Sequence, residues 1–265
     1  MSLQNSYNAG ASGYDRVFGP VSREFVPRLV TAARLARGMR VLDVATGTGI
    51  AAEIAAEVVG SSGHVVAADI SGPMLDRARE RLRKVGNVTF ALEDGQALTL
   101  PDQSFDAVIC AMALMLFADQ ARGVAEFYRV LRSGGWAAAS VNTTYDRSFS
   151  SRVNVAMGRH VPSMAEAAGR YYSLGDPDHL RRLFEAVGFQ DVEITKETRS
   201  YRFSSFDVYF EPFDSGVGVG GTEYAALPEE VRRLVREDVR RELGGDPSGG
   251  PVEVPVEIMF VSGRR

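Results

Sequence analysis

The chain has 265 residues, of which 45% are apolar and 24% charged, the balance of an ordinary globular protein. A formal charge of −4 argues against nucleic acid as a partner, and a single cysteine, Cys110, excludes an internal disulfide and a cysteine-rich zinc site. No run approaches the roughly 18 apolar residues of a membrane span, and the N-terminus lacks the apolar core of a leader, so a cytoplasmic protein without membrane insertion is expected.

Short β-branched runs alternate with longer amphipathic ones. MRVLDV at 39–44 reads as a strand, followed by a helix from Gly49 to about Val59. A second strand is HVVAAD at 64–69. Ser71 then caps a helix with Pro73 in its first turn, where the missing N–H costs nothing. That helix places Met74, Leu75, Ala78 and Leu82 on one face and ends at Gly86-Asn87. Strands follow at 88–92 and 106–111, then a helix at 121–131 closed by Ser133-Gly134-Gly135, then a strand at 136–141. Strands alternating with helices predict an α/β, doubly wound sheet, and near-continuous apolar strands such as VVAAD suit a sheet covered on both faces. Residues 143–175 show no strand. A helix near 177–187 ends at Gly188, a strand is expected at 192–195, a helical insertion with glycine-rich seams at 204–250, and a last strand at 252–262.

GTGIAA at 47–52 satisfies the glycine fingerprint of dinucleotide-binding proteins, and Asp69 stands where a carboxylate would take ribose hydroxyls. Three features fit that ligand poorly. Asp43 is an anion ahead of the loop, where it repels a pyrophosphate and attracts an ammonium. An arm carrying Tyr7, Tyr14 and Phe18 precedes the first strand. Glu93-Asp94 ends the third strand and adds an acceptor beside the same crevice. One phosphate-free ligand accounts for all three, an amino acid joined to a nucleoside. Its carboxylate meets the loop N–H groups, its amine Asp43, its ribose Asp69 and its adenine amine Asp94. That ligand is S-adenosylmethionine.

The runs VLDVATGTG (41–49), VAADIS (66–71), ALEDGQALTLPDQSFDAVIC (91–110) and YRVLRSGGW (128–136) resemble the class I S-adenosylmethionine-dependent methyltransferases. The likeness is greatest to the small-molecule branch that includes the menaquinone/ubiquinone C-methyltransferases. It spans about 7–142 and, more loosely, 179–194. The resemblance implies a Rossmann-like seven-stranded sheet, mostly parallel, with an antiparallel last strand within 256–262. It implies one methyltransferase domain over 1–265: an arm at 1–35, the cofactor-binding core at 36–142, cap insertions at 143–176 and 204–250, and the C-terminal part of the sheet at 177–203 and 251–265.

Carried over by position, Asp43, Ala45, Thr46, Gly47 and Gly49 frame the methionine end. Asp69 takes the ribose, Ile70 and Met74 lie against the adenine, and Asp94 accepts from its amine. Gly95, Gln96 and Ala97 complete that wall with Ala111 nearby, while Tyr14 closes over the cofactor. Ala45 stands where the family commonly has glycine, which implies that the backbone there needs no positive φ.

A sulfonium methyl is electrophilic, so transfer is an in-line displacement that needs no metal and leaves S-adenosylhomocysteine. No obligatory catalytic residue is expected. Were a general base needed, His160 is the histidine best suited, with a packing role as its commoner alternative. Met115, Phe117, Tyr145, Tyr171, Tyr172 and Tyr209 are expected to line the acceptor site. Their character favours a small hydrophobic or planar acceptor, to be methylated on oxygen or carbon. The alternatives are an NAD(P)-dependent oxidoreductase and an S-adenosylmethionine-binding protein that does not methylate. The oligomeric state stays open, a homodimer included.

Overall fold

The computed structural model describes residues 14–245 and 249–265, apart from the side chains at 14, 16 and 17. In chain order the elements are α1 (Tyr14–Ala32), β1 (Arg40–Val44), α2 (Ile50–Val59), β2 (His64–Asp69), α3 (Gly72–Arg81), β3 (Val88–Leu92), β4 (Phe105–Ala111), α4 (Gln120–Val130) and β5 (Leu131–Asn142). They continue with α5 (Ser151–His160), α6 (Ala165–Arg170), α7 (Pro177–Glu185), β6 (Gln190–Phe203), α8 (Phe206–Asp214), α9 (Gly218–Ala225), α10 (Glu229–Glu242) and β7 (Val252–Arg264).

The strands form one seven-stranded sheet in the order β3-β2-β1-β4-β5-β7-β6. Pairing is parallel from β3 through β5, and β7 runs antiparallel to both β5 and β6. From β1 the chain winds first toward β3, then returns to β4 on the other side. The reversal opens a crevice beyond the C-terminal ends of β1 and β4, where ligands of such sheets bind.

β1 is buried on both faces: Val41, Leu42, Asp43 and Val44 are at most 1% exposed. The apolar members justify the strand, because each meets a packed layer. Asp43 does not, and stands between Ala67 of β2 and Ile109 of β4 in the register. The α3 cap forms as its chemistry dictates, with Ser71 accepting from the Met74 N–H and proline in the first turn.

Two strands are longer than their sequences suggest. β6 runs for 14 residues, not four, because it is an edge strand whose outer face is polar and exposed, so TKETRSYRF lacks the alternation of a half-buried strand. It pairs with β7 from Gln190 opposite Arg264 to Phe203 opposite Val252. β5 absorbs Ser133-Gly134-Gly135, expected as a helix stop, through a register shift beside β4 and a bond from the Gly134 N–H to the Arg265 carbonyl.

Gly49 ties the loop after β1 to α3. It caps α2 at φ 85°, and a β-carbon there would stand 3.1 Å from both Ala78 Cβ and Leu82 Cδ1. Gly49→Ala is therefore expected to destabilise the protein by about 2–4 kcal/mol, the sum of left-handed strain and overpacking. Urea unfolding measures it as a lowered midpoint at unchanged slope.

Candidate functional site

Two cavities meet at the crevice. An acidic lobe of about 250 Å³ is lined by Asp69, Ile70, Met74, Asp94, Gly95 and Gln96 among others. An apolar lobe of about 150 Å³ lies under α1 and is walled by Phe18, Phe25, Met115, Phe149, Val256 and Ile258 with several polar groups. Ala45, Gly47, Ala111, Met112 and Leu116 border both, so the lobes are two ends of one cleft.

The chain leaves β1 and β4 through matching turns. Ala45 has φ 57° and Met112 φ 54°, left-handed conformations that L residues adopt at a cost. The expectation that residue 45 needs no positive φ is thus corrected. The turn lets the Thr46 N–H reach the Ala68 carbonyl at 2.9 Å while the Thr46 hydroxyl folds back to Asp43 Oδ2 at 2.5 Å. The small alanine tolerates the strain without relieving it. Ala45→Gly is expected to raise stability by up to about 1 kcal/mol, the relieved strain less the extra unfolded-state entropy of glycine. A loss of stability in urea unfolding would contradict that account.

Asp69 is the organising carboxylate. It is 8% exposed, its Oδ2 accepts the Gly47 N–H and its Oδ1 the Ser71 N–H, each at 2.8 Å. Burial pushes its carboxyl above the ordinary range, against the pull of the Ser71, Gly47 and Ile70 amides. With three amides on its four lone pairs, the carboxylate keeps one for a donor in the cleft. The Gly49 N–H is also engaged, by the Thr46 carbonyl at 2.9 Å. The N–H groups of Gly47 and Gly49 are therefore taken within the protein, so among the loop N–H groups expected to meet a ligand carboxylate these two are already engaged. What Gly47 contributes is room: at φ 56° a β-carbon would meet nothing within 4 Å.

Asp43 is displaced from its expected place. It is fully buried beneath Thr46 and borders neither lobe. The Ala52 amide faces it, but no hydrogen bond closes on Oδ1. Desolvation raises its carboxyl from the usual 3.8 to about 7, with the nearby Asp69 adding to the rise and the Thr46 hydroxyl opposing it. Asp43 acts on the cleft through Thr46 and through its field. Gly49 likewise lies against α3 rather than in the cleft.

At the far wall Asp94 Oδ1 accepts from the Gln96 backbone and side chain, at 2.9 and 3.2 Å, and Gln96 Oε1 in turn accepts the Asp119 N–H at 2.7 Å. Phe117 lines this acidic lobe, not the acceptor side expected for it. Its ring fits because residues 95 and 123 are glycine; a β-carbon at either would overlap it, at 2.6 and 2.4 Å. Ala97 is exposed and borders neither lobe.

Met115 and Tyr171 line the apolar lobe. Other expected lining residues do not. Tyr209 is fully buried behind Phe149, to whose carbonyl it donates at 2.8 Å, because its helix face packs into the cluster of Phe206, Phe210 and Phe213. Tyr145 and Tyr172 pack on each other with centroids 6.3 Å apart, and Arg159 lies over Tyr145. His160 sits in the last turn of α5, facing α10, where its Nε2 is 2.9 Å from Asp238 Oδ2. It is no base for the cleft. The packing alternative holds for these four.

The side chain of Tyr14 lies outside the described residues, as does Tyr7. Its neighbour Asp15 clamps α1 to the loop, accepting from the Thr48 hydroxyl at 2.5 Å and pairing with Arg81 at 2.7 Å, while Arg81 Nε donates to the Thr48 carbonyl at 2.8 Å. Sequence reasoning missed most of the α1 wall (Val21, Ser22, Phe25, Val26), although that spacing is a helical stripe. It also missed Asn142 and Asn154, two buried amides lining the apolar lobe.

Among the described residues no helix is long and apolar enough to cross a membrane, and no cluster of three potential metal ligands occurs. A family described as methyltransferase domain matches residues 41–135. The ubiquinone/menaquinone biosynthesis C-methyltransferase UbiE of Marinomonas sp. (strain MWYL1) is 31% identical over 193 residues, 66% of this chain and 76% of that protein. The YcgJ protein of Bacillus subtilis shares the fold at TM-score 0.65 and 18% identity, over 91% of this chain and 98% of that one. Haemonchus contortus phosphoethanolamine N-methyltransferase 2, solved with S-adenosylhomocysteine, shares it at TM-score 0.60 and 18% identity, over 97% of this chain and 57% of that one.

Proposed function

The chain belongs to the class I S-adenosylmethionine-dependent methyltransferases, and we propose that it methylates a carbon atom of a small apolar aromatic acceptor held in the apolar lobe. Membership displaces the nicotinamide oxidoreductase that the glycine loop also admitted, and with it the reading of a non-methylating binder. Carbon is favoured over oxygen by the similarity to UbiE, whose name describes a C-methyltransferase.

The cleft fits the cofactor on two counts: the open space beside Gly47 is a cradle that a β-carbon would fill, and Asp69 retains acceptor capacity toward the cavity. In this reading Asp69 holds the ribose, Asp94 the adenine amine, Ile70 and Met74 the adenine faces, and Gly47 with Ala45 and Thr46 the amino-acid end, with Ala111, Gly95 and Gln96 completing the enclosure. Bound there, S-adenosylmethionine supplies a methyl group that is electrophilic without further activation. The protein's part is then geometric. Ala45 and Met112 narrow the passage between lobes, α1 shuts out water, and Met115 with the phenylalanines presses a flat acceptor toward that passage. Positioning of this kind supplies roughly 7–11 kcal/mol in favourable systems, so no catalytic base need be assigned.

The observation that carries the reading is the joining of an acidic, nucleoside-sized lobe to an apolar one at a shared rim. Its test is mass-spectrometric detection of S-adenosylhomocysteine across a panel of hydroquinones, phenols and hydrophilic amines. Turnover with the aromatic compounds, and a new C–CH3 resonance in the product, is the expected result. Turnover confined to the amines would sink it.

A further inference from the structure

β5 ends at Asn142, whose register partner on β7 is Ile258. Opposed residues of an antiparallel pair share a face of the sheet, and both of these line the apolar lobe. Asn142 is 6% exposed, and one end of its amide is fixed, with Nδ2 donating to the Tyr171 carbonyl at 3.0 Å. A carbonyl has no proton to give, so the NH2 must face it and Oδ1 must face away. Among the described residues nothing donates to that oxygen, and it is not one of the unpaired atoms sealed in the interior. The other buried polar side chains of the lobe are engaged or closed off. Thr46 and Thr48 donate to Asp43 and Asp15, Ser140 accepts the Met112 N–H at 3.1 Å, and Ser148 bonds Ser151. Both polar atoms of Asn154 are sealed. What stays open is one neutral acceptor in an apolar wall.

We propose that Asn142 Oδ1 recognises the methyl acceptor by accepting from a ring hydroxyl, so that the acceptor is a phenol bound through a proton it keeps. The inference rests on the apolar lobe being the acceptor's site. A ligand that fills the lobe strips water from this oxygen, and a hydroxyl restores the bond that is lost. An amide oxygen only accepts, so it discriminates. A hydroxyl pairs with it, whereas an ether sets a second lone pair against it. Sites built to bond a substrate hydroxyl reject analogues that lack it, since the protein group is then left unpaired. Asn142 belongs to the apolar lobe alone and not to the rim that both lobes share at Ala45, Ala111 and Met112. A hydroxyl held there is turned from the passage, and the ring beyond it faces the methyl group. The hydroxyl then survives as a free phenol, in agreement with methylation on carbon, while its electron pair makes the ortho and para carbons nucleophilic.

The test titrates the S-adenosylhomocysteine-loaded protein with 2-naphthol and with 2-methoxynaphthalene, its methyl ether, which lacks the donor. The naphthol is expected to bind about 10-fold more tightly, the worth of one hydrogen bond and of the oxygen otherwise left unpaired. Asn142→Leu should bring the ratio to within about twofold. The ratio is the readout because a merely structural Asn142, holding Tyr171 in place, would on removal weaken both ligands alike. Asn142→Asp keeps an acceptor oxygen and, when protonated, a donor for the Tyr171 carbonyl, so the preference should survive there at about fivefold or more. Equal binding by the unmodified protein, a preference that survives Asn142→Leu, or one lost in Asn142→Asp as well overturns the inference alone. Failure of both compounds to bind the loaded protein takes down the apolar-acceptor reading, and the inference with it.

Discussion

Asp69→Ala is expected to weaken S-adenosylhomocysteine binding by at least about 100-fold, because charge-assisted hydrogen bonds contribute about 1.5–3 kcal/mol each and the substitution removes several. Two are on the page: the Gly47 and Ser71 N–H groups both end on this carboxylate. Without it the loop after β1 keeps only its backbone tie to the end of β2, from the Thr46 N–H to the Ala68 carbonyl, and the two amides are left without their partner. The proposed ribose bond goes with them. Asp69→Asn separates the contributions, since one oxygen remains an acceptor while the NH2 confronts an N–H. Its affinity should fall between those of the parent and the alanine variant. Calorimetry reads both, with circular dichroism to confirm the fold. An Asp69→Ala protein that binds as tightly as the parent would remove the residue from the cofactor site.

That Asp69 stood out in the sequence at all follows from its surroundings. VVAAD is a buried strand, and a carboxylate ending it has no apolar reason to be there. β1, β2 and β4 were legible for the same reason, being apolar on both faces and bounded by turn residues. β6 was not, because an edge strand with a solvated face reads as polar coil until β7 is placed beside it. Side-chain direction was the larger blind spot. The tyrosines at 145, 172 and 209 have the composition of a binding site, but a helix has several faces, and α8 turns Tyr209 into its own aromatic cluster. The strain at Ala45 was hidden too, since a small side chain fits the turn well enough to mask its dihedral angle. Asn154 was nearly visible: within SRVNVAMG it is a polar residue among apolar ones, the same kind of signal that identified Asp43.

Asp43 gives the largest expected effect on stability, and its sign is set by burial. The carboxyl titrates near 7 in the folded protein and near 3.8 when unfolded, so between those values the native state holds the extra proton. Its contribution is therefore fully present below about pH 4, declines as pH rises and is gone above about pH 7, a change of about 4 kcal/mol. Asp69, raised by burial in the same direction, adds to the slope. Glu126, held below the ordinary range by its bonds to Arg129, works against it at the acid end. The difference between parent and Asp43→Asn isolates the one group. At pH 5 the parent carboxyl is protonated and nearly matches the amide in shape and charge; at pH 8 it is a buried anion with one oxygen unpaired. Urea unfolding across pH 5–8 should show the variant gaining about 2–3 kcal/mol on the parent, and parallel curves would mean that the carboxyl ionises freely. A ligand that brings a positive charge to the cleft favours the ionised form. Saturating S-adenosylhomocysteine, through its ammonium, is thus expected to flatten the parent's decline while leaving the variant's profile unchanged. On that account the buried charge beneath Thr46 is an instability that the field of a cationic ligand in the cleft offsets, without contact with the carboxylate.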